Sequence, residues 1–365
     1  MVMILENCVM DVAPESLERF LVAVRSAAPR VSGRVLIGAW EHLLNGTNRP
    51  VSRLFANSKG TIWTEKETRK NLPTSIVSSL ISVIKAELRA RFWKMGIDGL
   101  TVDPDALRVA LPLSEKNKSS GFGVLPKGSV VPVRGDTLRF FIYWKQHSAR
   151  TDYDLAAFFM NENFRNAGHC SWTNLRHGGS ADADAVHSGD ITDATNGASE
   201  FIDMKLGKVK APYIVAQINR YAGENYQDVE ENFFGFMERT EAQKGKPFEP
   251  KTVKVKSEVR GKGQVAIPAL FFRDSSGSWN CKWLDFQLAG APSMNRIEEN
   301  KVTTSMLMEA AMKRTNLTIK DLVELLPGTT DPTRMAYVGF LKPDGQEANH
   351  SKVFTLDNIT RLIPE

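Results

Sequence analysis

Apolar residues recur at helical spacing through the first part of the chain and at alternate positions, or in short unbroken runs, beyond residue 123. This change of period separates a helix-bearing region from a strand-rich one. From Asp11, Pro14 suits a first helical turn, Glu15 and Glu18 complement a helix start, and Leu17, Phe20, Leu21 and Val24 form one face. A second amphipathic run, Val35 to Leu44, is expected to stop at Asn45-Gly46, where glycine can take a left-handed conformation. Arg53 to Ala56 and Thr61 to Trp63, separated by Asn57-Ser58-Lys59-Gly60, predict a hairpin. Pro73 to Met95 predicts the longest helix, with Ile76, Leu80, Ile81, Ile84 and Leu88 on one face and Gly96 past its end.

Glu115 to Gly123 is polar and glycine-bearing, which suits a connector. Past it, Leu138 to Trp144, Leu155 to Met160, Tyr213 to Tyr221, Gln264 to Phe272 and Trp279 to Leu288 are rich in aromatic and β-branched residues and bounded by turn chemistry. In Tyr213 to Tyr221, Ile214, Ala216 and Ile218 alternate with Gln217 and Asn219, predicting one buried and one wetter face. Asp274 to Ser278 is a hairpin loop, Lys251 to Lys256 an alternating edge strand, and Phe233, Phe234 and Phe236 core positions. Helices return at Asn300 to Thr315 and Leu317 to Leu326, the latter opening at Thr318-Ile319-Lys320-Asp321. Arg334 to Leu341 and Ser351 to Leu356 predict a last strand pair around Pro343-Asp344-Gly345.

Many strands with few helices between them favour a β-sandwich over a doubly wound sheet. The expected fold is mainly β with α+β additions: an N-terminal α+β domain over 1–114, a sandwich over 124–290 and a C-terminal α/β extension over 291–365.

Composition narrows the function classes. Hydrophobic residues at 42% and charged residues at 24% are those of a globular chain. A net charge of +5 from 47 basic and 42 acidic residues is too mild to indicate nucleic-acid binding. Cys8, Cys170 and Cys281 are far apart and never in C-x-x-C, so neither a disulfide framework nor a structural zinc site is expected. The apolar start Met1 to Leu5 is interrupted at Glu6 and lacks a basic leader; with no membrane-length apolar run, a cytoplasmic compartment and no membrane partner are expected.

The candidate chemistry is carried by acids. Asp152 and Asp154, two apart at a strand entrance, would point to one side, where like charges are costly without a cation; alone, such a pair also describes a solvated turn. A second cluster, Asp190, Asp193, Asn196, Glu200 and Asp203, lies in a stretch punctuated by Gly189 and Gly197, and carboxylates and amides on such a loop suit calcium. The spacing is not that of an EF-hand. His147, His169, His177 and His187 show no helical metal-ligand spacing and are expected in loop hydrogen bonding. Cys170 beside His169 reads as a buried thiol, since neighbours in a strand face opposite ways, and Ser188-Gly189-Asp190 lacks a strand-to-helix nucleophile elbow.

Asp152-Tyr153-Asp154-Leu155, His187-Ser188-Gly189-Asp190, and Asn225-Tyr226 leading to Val229-Glu230 and Phe233 resemble, in that order, the TerD family of tellurite-resistance and stress-response domains, over about Val130 to Leu288. Gly135-Asp136-Thr137 to Trp144, Thr173 to Arg176, Gly197-Ala198 with Glu200 to Asp203, and Phe248-Glu249-Pro250 are similar to a divergent bacterial branch, some of whose members carry a RING-like cysteine module that this chain lacks. The resemblance implies a calcium-binding β-sandwich without catalysis of its own. It puts Asp152, Asp154 and Asp190 at the acidic positions, with Asn196 and Glu200 as further candidate ligands and Ala156 where typical members have a third Asp. The expectation is therefore a non-enzymatic TerD-like calcium-binding protein in stress response or defence, acting through protein partners or self-assembly. The alternative is a structural component of a phage particle or large complex that keeps the sandwich without metal. A metal-activated water at the same cluster is the one enzymatic chemistry the residues offer.

Overall fold

The computed structural model describes residues 14–57, 61–113, 121–122, 124–179, 182–240, 249–290, 297–343 and 352–365. Cys8, the Met1 to Leu5 start, the Asn57 to Gly60 turn apart from Asn57, most of the Glu115 to Gly123 connector, Phe248 and the Asp344-Gly345 turn lie outside these residues. In chain order the elements are α1 (Pro14–Ala27), α2 (Gly33–Thr47), β1 (Ser52–Ala56), β2 (Ile62–Lys66), α3 (Thr74–Lys94), β3 (Gly99–Val102), β4 (Gly121–Phe122), β5 (Val130–Pro132), β6 (Thr137–Lys145), β7 (Asp152–Met160), β8 (Asn166–Cys170), β9 (Arg176–His177), β10 (Ala185–His187), β11 (Ala198–Lys205), β12 (Tyr213–Ala222), β13 (Glu231–Arg239), β14 (Val253–Ser257), β15 (Val265–Arg273), β16 (Trp279–Leu288), α4 (Ile297–Lys313), α5 (Ile319–Leu325), β17 (Met335–Gly339) and β18 (Lys352–Thr355).

The chain forms two compact units: Met1–Arg53, Lys66–Asn117 and Met312–Glu365 in one, Leu54–Glu65 and Lys118–Ala311 in the other. This corrects the expected three-part division. The C-terminal segment is no separate extension, because β17 lies parallel between β3 and β18 in one three-stranded sheet, which ties residues near 100 to residues near 336 and 353. The expected last strand pair is present, with β17 and β18 running parallel.

In that first unit, α2 and α3 bury Leu36, Ile37, Trp40 and Leu43 with Val77, Leu80, Ile84, Leu88 and Phe92. The buried face of α3 includes Val77 in place of the expected Ile76, which is half-buried. Ser32 caps α2 by accepting from the Val35 N–H at 3.4 Å. The helix runs on through Gly46 to Thr47 instead of stopping at Asn45-Gly46. Gly46 is there for space: a Cβ would sit 2.6 Å from the Leu72 Cδ1. Gly96, with φ +69°, does end α3 in the expected way. Thr318 and Asp321 form the capping box of α5.

The second unit is a β-sandwich. One antiparallel sheet has the order β4-β14-β13-β6-β11-β10-β9 and the other β5-β16-β15-β12-β7-β8. Their facing sides meet through rings: Phe140 stacks on Phe271 at 5.8 Å, Phe236 meets Phe271 edge-on at 5.4 Å, and Phe234 packs on Trp283 at 6.0 Å. Fully burying each such ring stabilises the fold by roughly 1.5–3 kcal/mol. Phe233 is on the other side of β13, half-buried, stacked on Tyr143 with the Lys256 ammonium 3.8 Å from its ring centre. β14 is not an edge, since β4 pairs outside it.

The expected wet face of β12 is absent: Gln217 and Asn219 are buried. Residues of α4 cover this side of the sheet, where the Thr304 hydroxyl donates to the Gln217 Oε1 at 3.3 Å and the Lys282 Nζ donates to the Ala311 carbonyl at 2.8 Å. A sheet covered on both faces needs paired polar groups, and Gln217 donates in turn to Asn219 Oδ1 at 3.0 Å. Nothing in an alternating pattern announces a helix arriving from about 85 residues later.

Candidate metal centre

The first residues of β7 carry the site. Tyr153 points into the sandwich, its ring 5.7 Å from Trp144 and 4.9 Å from Tyr226, and its hydroxyl donates to the Glu224 carbonyl at 2.9 Å. Anchoring Tyr153 inward turns Asp152 and Asp154 to the opposite face together, because successive strand side chains alternate. β8 stops at Cys170, opposite Ala157, so it no longer pairs with β7 at Leu155. Two side chains replace it: Glu200 accepts from the Leu155 N–H at 2.8 Å, and the His187 Nε2 lies 3.0 Å from the Leu155 carbonyl.

Asp190 comes from the loop between β10 and β11, which glycine opens at Gly189, φ +114°, and closes at Gly197, φ +82°. A Cβ at Gly197 would meet the Tyr143 hydroxyl at 2.7 Å. The loop is braced from several sides. Gln146 Oε1 accepts from the N–H groups of Thr151, at 3.1 Å, and Ala194, at 3.0 Å. Arg150 donates to the carbonyl and hydroxyl of Thr192 at 2.8 and 2.5 Å. Glu224 accepts from the backbone N–H groups of His147 and Ser148 at 2.7 and 2.8 Å, fixing the turn that leads into Asp152.

Asp152, Asp154 and Asp190 each offer a carboxylate oxygen, and these oxygens all lie within 4.8 Å of one another. Asp152 and Asp154 are buried and Asp190 is exposed, so the cluster is dry on the strand side and open on the loop side. Oδ1 of Asp152 and Oδ2 of Asp154 are buried without a hydrogen-bond partner. Burial, then the charges of Asp190 and Glu200, pushes Asp152 up to about 6. Burial, then Asp152, Glu200 and Asp190, pushes Asp154 up to about 9. An all-oxygen donor set with uncompensated buried charge fits a hard cation such as calcium.

The other expected ligands sit differently. Asn196 is exposed on the loop and is not one of the three grouped residues. Glu200 is fully buried and gives both oxygens to backbone N–H groups, of Leu155 at 2.8 Å and of Ile191 at 3.1 Å. Asp193 accepts from its own loop at Thr195, and Asp203 pairs with Arg139 at 2.5 Å on the outer side of β11. Ala156 is buried beside Gln217, under the residues of α4. The remaining histidines have local duties: His177 meets Asp184 at 2.7 Å and His169 meets Thr173 at 3.4 Å. Cys170 is buried, and burial pushes its thiol up to about 12. The bracing by Gln146, Arg150 and Glu224 has no motif that sequence alone could display, because apart from Thr151 their partners are 42 to 77 residues away along the chain.

No family model matches the chain, and no curated protein matches its sequence. Among solved structures, a homologue of telluride resistance protein (TerD) from Streptomyces coelicolor A3(2) is similar over 46% of this chain and 98% of its own, at 12% identity and a TM-score of 0.37. Another, described as a protein of unknown function, is similar over 45% of this chain and 96% of its own, at 16% identity and a TM-score of 0.36. At these scores the likeness says nothing of ligand or role. Among the described residues, no helix is long and apolar enough to cross a membrane.

Proposed function

We propose that this protein is a non-catalytic calcium-binding protein whose ion sits on Asp152, Asp154 and Asp190. The observation that supports this reading is that Asp152 and Asp154 each bury a carboxylate oxygen, Oδ1 and Oδ2 respectively, with no hydrogen-bond partner, while carboxylate oxygens of the two residues and of Asp190 lie within 4.8 Å of one another. A buried polar atom without a partner costs about 1–3 kcal/mol, more when charged, and a divalent cation removes that cost here. Calcium, at about 2.3–2.6 Å from each oxygen, tolerates an irregular ligand set completed by backbone carbonyls and water.

The absence of catalysis belongs to the same proposal. Two groups that could act as base or nucleophile are otherwise engaged: His187 is bonded to Leu155 and Gly189, and the Cys170 thiol is buried. The loaded protein acts by presenting its ordered loops to protein partners or to further copies of itself, in the stress-response setting that the TerD resemblance implies.

Titration calorimetry of the full chain with calcium tests the reading. Binding by the native protein, lost in Asp154→Asn combined with Asp190→Asn, supports it. No heat with the native protein, together with thermal stability that is the same in calcium and in chelator, overturns it. Light scattering with and without calcium reads self-assembly directly.

A further inference from the structure

We infer that Glu200 is a positioning residue that brackets the two arms of the cation site and is not itself a ligand; the inference rests on the calcium reading above. Its two carboxylate oxygens are divided between the arms. Oε2 accepts from the N–H of Leu155, the residue after Asp154, at 2.8 Å. Oε1 accepts from the N–H of Ile191, the residue after Asp190, at 3.1 Å. One rigid carboxylate on β11 therefore sets the separation between a strand that carries Asp152 and Asp154 and a loop that carries Asp190.

His187 completes the bracket. The Gly189 N–H donates to Nδ1 at 3.1 Å, so Nδ1 accepts and the proton sits on Nε2, which lies 3.0 Å from the Leu155 carbonyl and 3.3 Å from Glu200 Oε2. The neutral imidazole thus holds the strand arm at Leu155 and the loop arm at Gly189, on either side of the same carboxylate. Both backbone groups of Leu155, left without β8, are held by side chains from the facing sheet.

The contrast in satisfaction separates the roles. Glu200 is fully buried and has a backbone N–H on each oxygen, whereas Asp152 and Asp154 each keep a buried oxygen with none. A carboxylate already saturated by backbone donors orients a site, and replacing such an outer partner typically costs about 10–100-fold in metal affinity.

The test uses the full chain, with Glu200→Gln, which keeps one acceptor, and Glu200→Asp, which keeps the charge but is too short to span both N–H groups. Calcium affinity is measured by competition with terbium(III), the number of water molecules on bound terbium by luminescence lifetimes in H2O and D2O, and the exchange of the Leu155 and Ile191 amides by NMR in the metal-free protein. The expected result is a loss of affinity of about 10–100-fold in both variants, with terbium hydration as in the native protein and faster exchange at those two amides. Asp190→Asn, a ligand change, raises the hydration. A rise in hydration in Glu200→Gln equal to that in Asp190→Asn overturns the inference and makes Glu200 a ligand. Unchanged affinity or unchanged amide exchange in folded Glu200→Asp overturns it as well, and that variant decides the matter should Glu200→Gln not fold. If the native protein takes up neither ion, the calcium reading fails and the site-positioning role with it, while the amide exchange still shows whether the bracket itself exists.

Discussion

Two aspartates in the same sandwich, Asp274 in a hairpin loop and Asp154 on a strand, have opposite environments. Asp274, in the loop between β15 and β16, accepts from the N–H and hydroxyl of Ser276 at 2.9 and 2.6 Å, the Ser278 N–H at 3.1 Å and the Asn280 amide at 2.8 Å. Those hydrogen bonds hold its carboxyl down at about 2. Asp154, at the start of β7, is buried with an unpartnered oxygen beside like charges and is pushed up to about 9. A structural turn closes on its own carboxylate. The proposed cation site leaves its carboxylates open to something that is not protein.

The sharpest way to break this comparison is to put a third carboxylate on the same strand face. Ala156→Asp is expected to destabilise the protein by ~3 kcal/mol or more, since position 156 is fully buried beside Gln217 and offers an added charge no partner. Calcium is expected not to recover that loss in chemical denaturation. Recovery would mean that the site extends along the strand, contrary to the grouping of three.

Asp154→Asn is expected to stabilise the protein in chelator, because the native carboxyl, pushed up to about 9, must take up a proton on folding at neutral pH whereas an amide need not, and to abolish the stabilisation by calcium, expected in the native protein to be about 2.7 kcal/mol at a hundredfold excess over Kd. Thermal melts in chelator and in calcium check both signs. A destabilised Asp154→Asn in chelator would show that Asp154 is as satisfied as Asp274.

The pH dependence of the melts should have two limbs. Asp152 and Asp154 are raised, so the native state holds more protons than the unfolded chain from about pH 4, the ordinary aspartate value, to about 6 and about 9. In chelator, stability therefore falls as pH rises through that window, and calcium flattens this limb. Asp274 is depressed, so its contribution is present above about pH 4 and lost as pH falls through about 2. The smallest effect belongs to Asp274→Asn: a lower Tm at neutral pH by the same amount in calcium and in chelator, and a weakened acid limb.

Much of the sandwich was legible in the residues. The strands at Leu138 to Trp144 and Trp279 to Leu288 were marked by short aromatic and β-branched runs, and α3 by its period and by Gly96. The pairing of Asp152 with Asp154 followed from strand alternation. The union with Asp190 came through the resemblance, since the 35 residues between Asp154 and Asp190 carry no local sign of closure.

What the sequence determined by itself is local: period, turn chemistry, capping, and the two carboxylates on one side of a strand. These depend on neighbours within a few residues, where backbone geometry decides which side chains meet. Only the tertiary structure decided which polar groups are satisfied. The burial of Gln217 and Asn219 beneath α4, the parallel sheet joining β3 to β17 and β18, and the two oxygens of Glu200 shared between Leu155 and Ile191 all join distant segments. Hydrogen-bond satisfaction also depends on who arrives from elsewhere in the chain, so one aspartate is closed by its own turn, as Asp274 is, and another is left open on a buried strand, as Asp154 is.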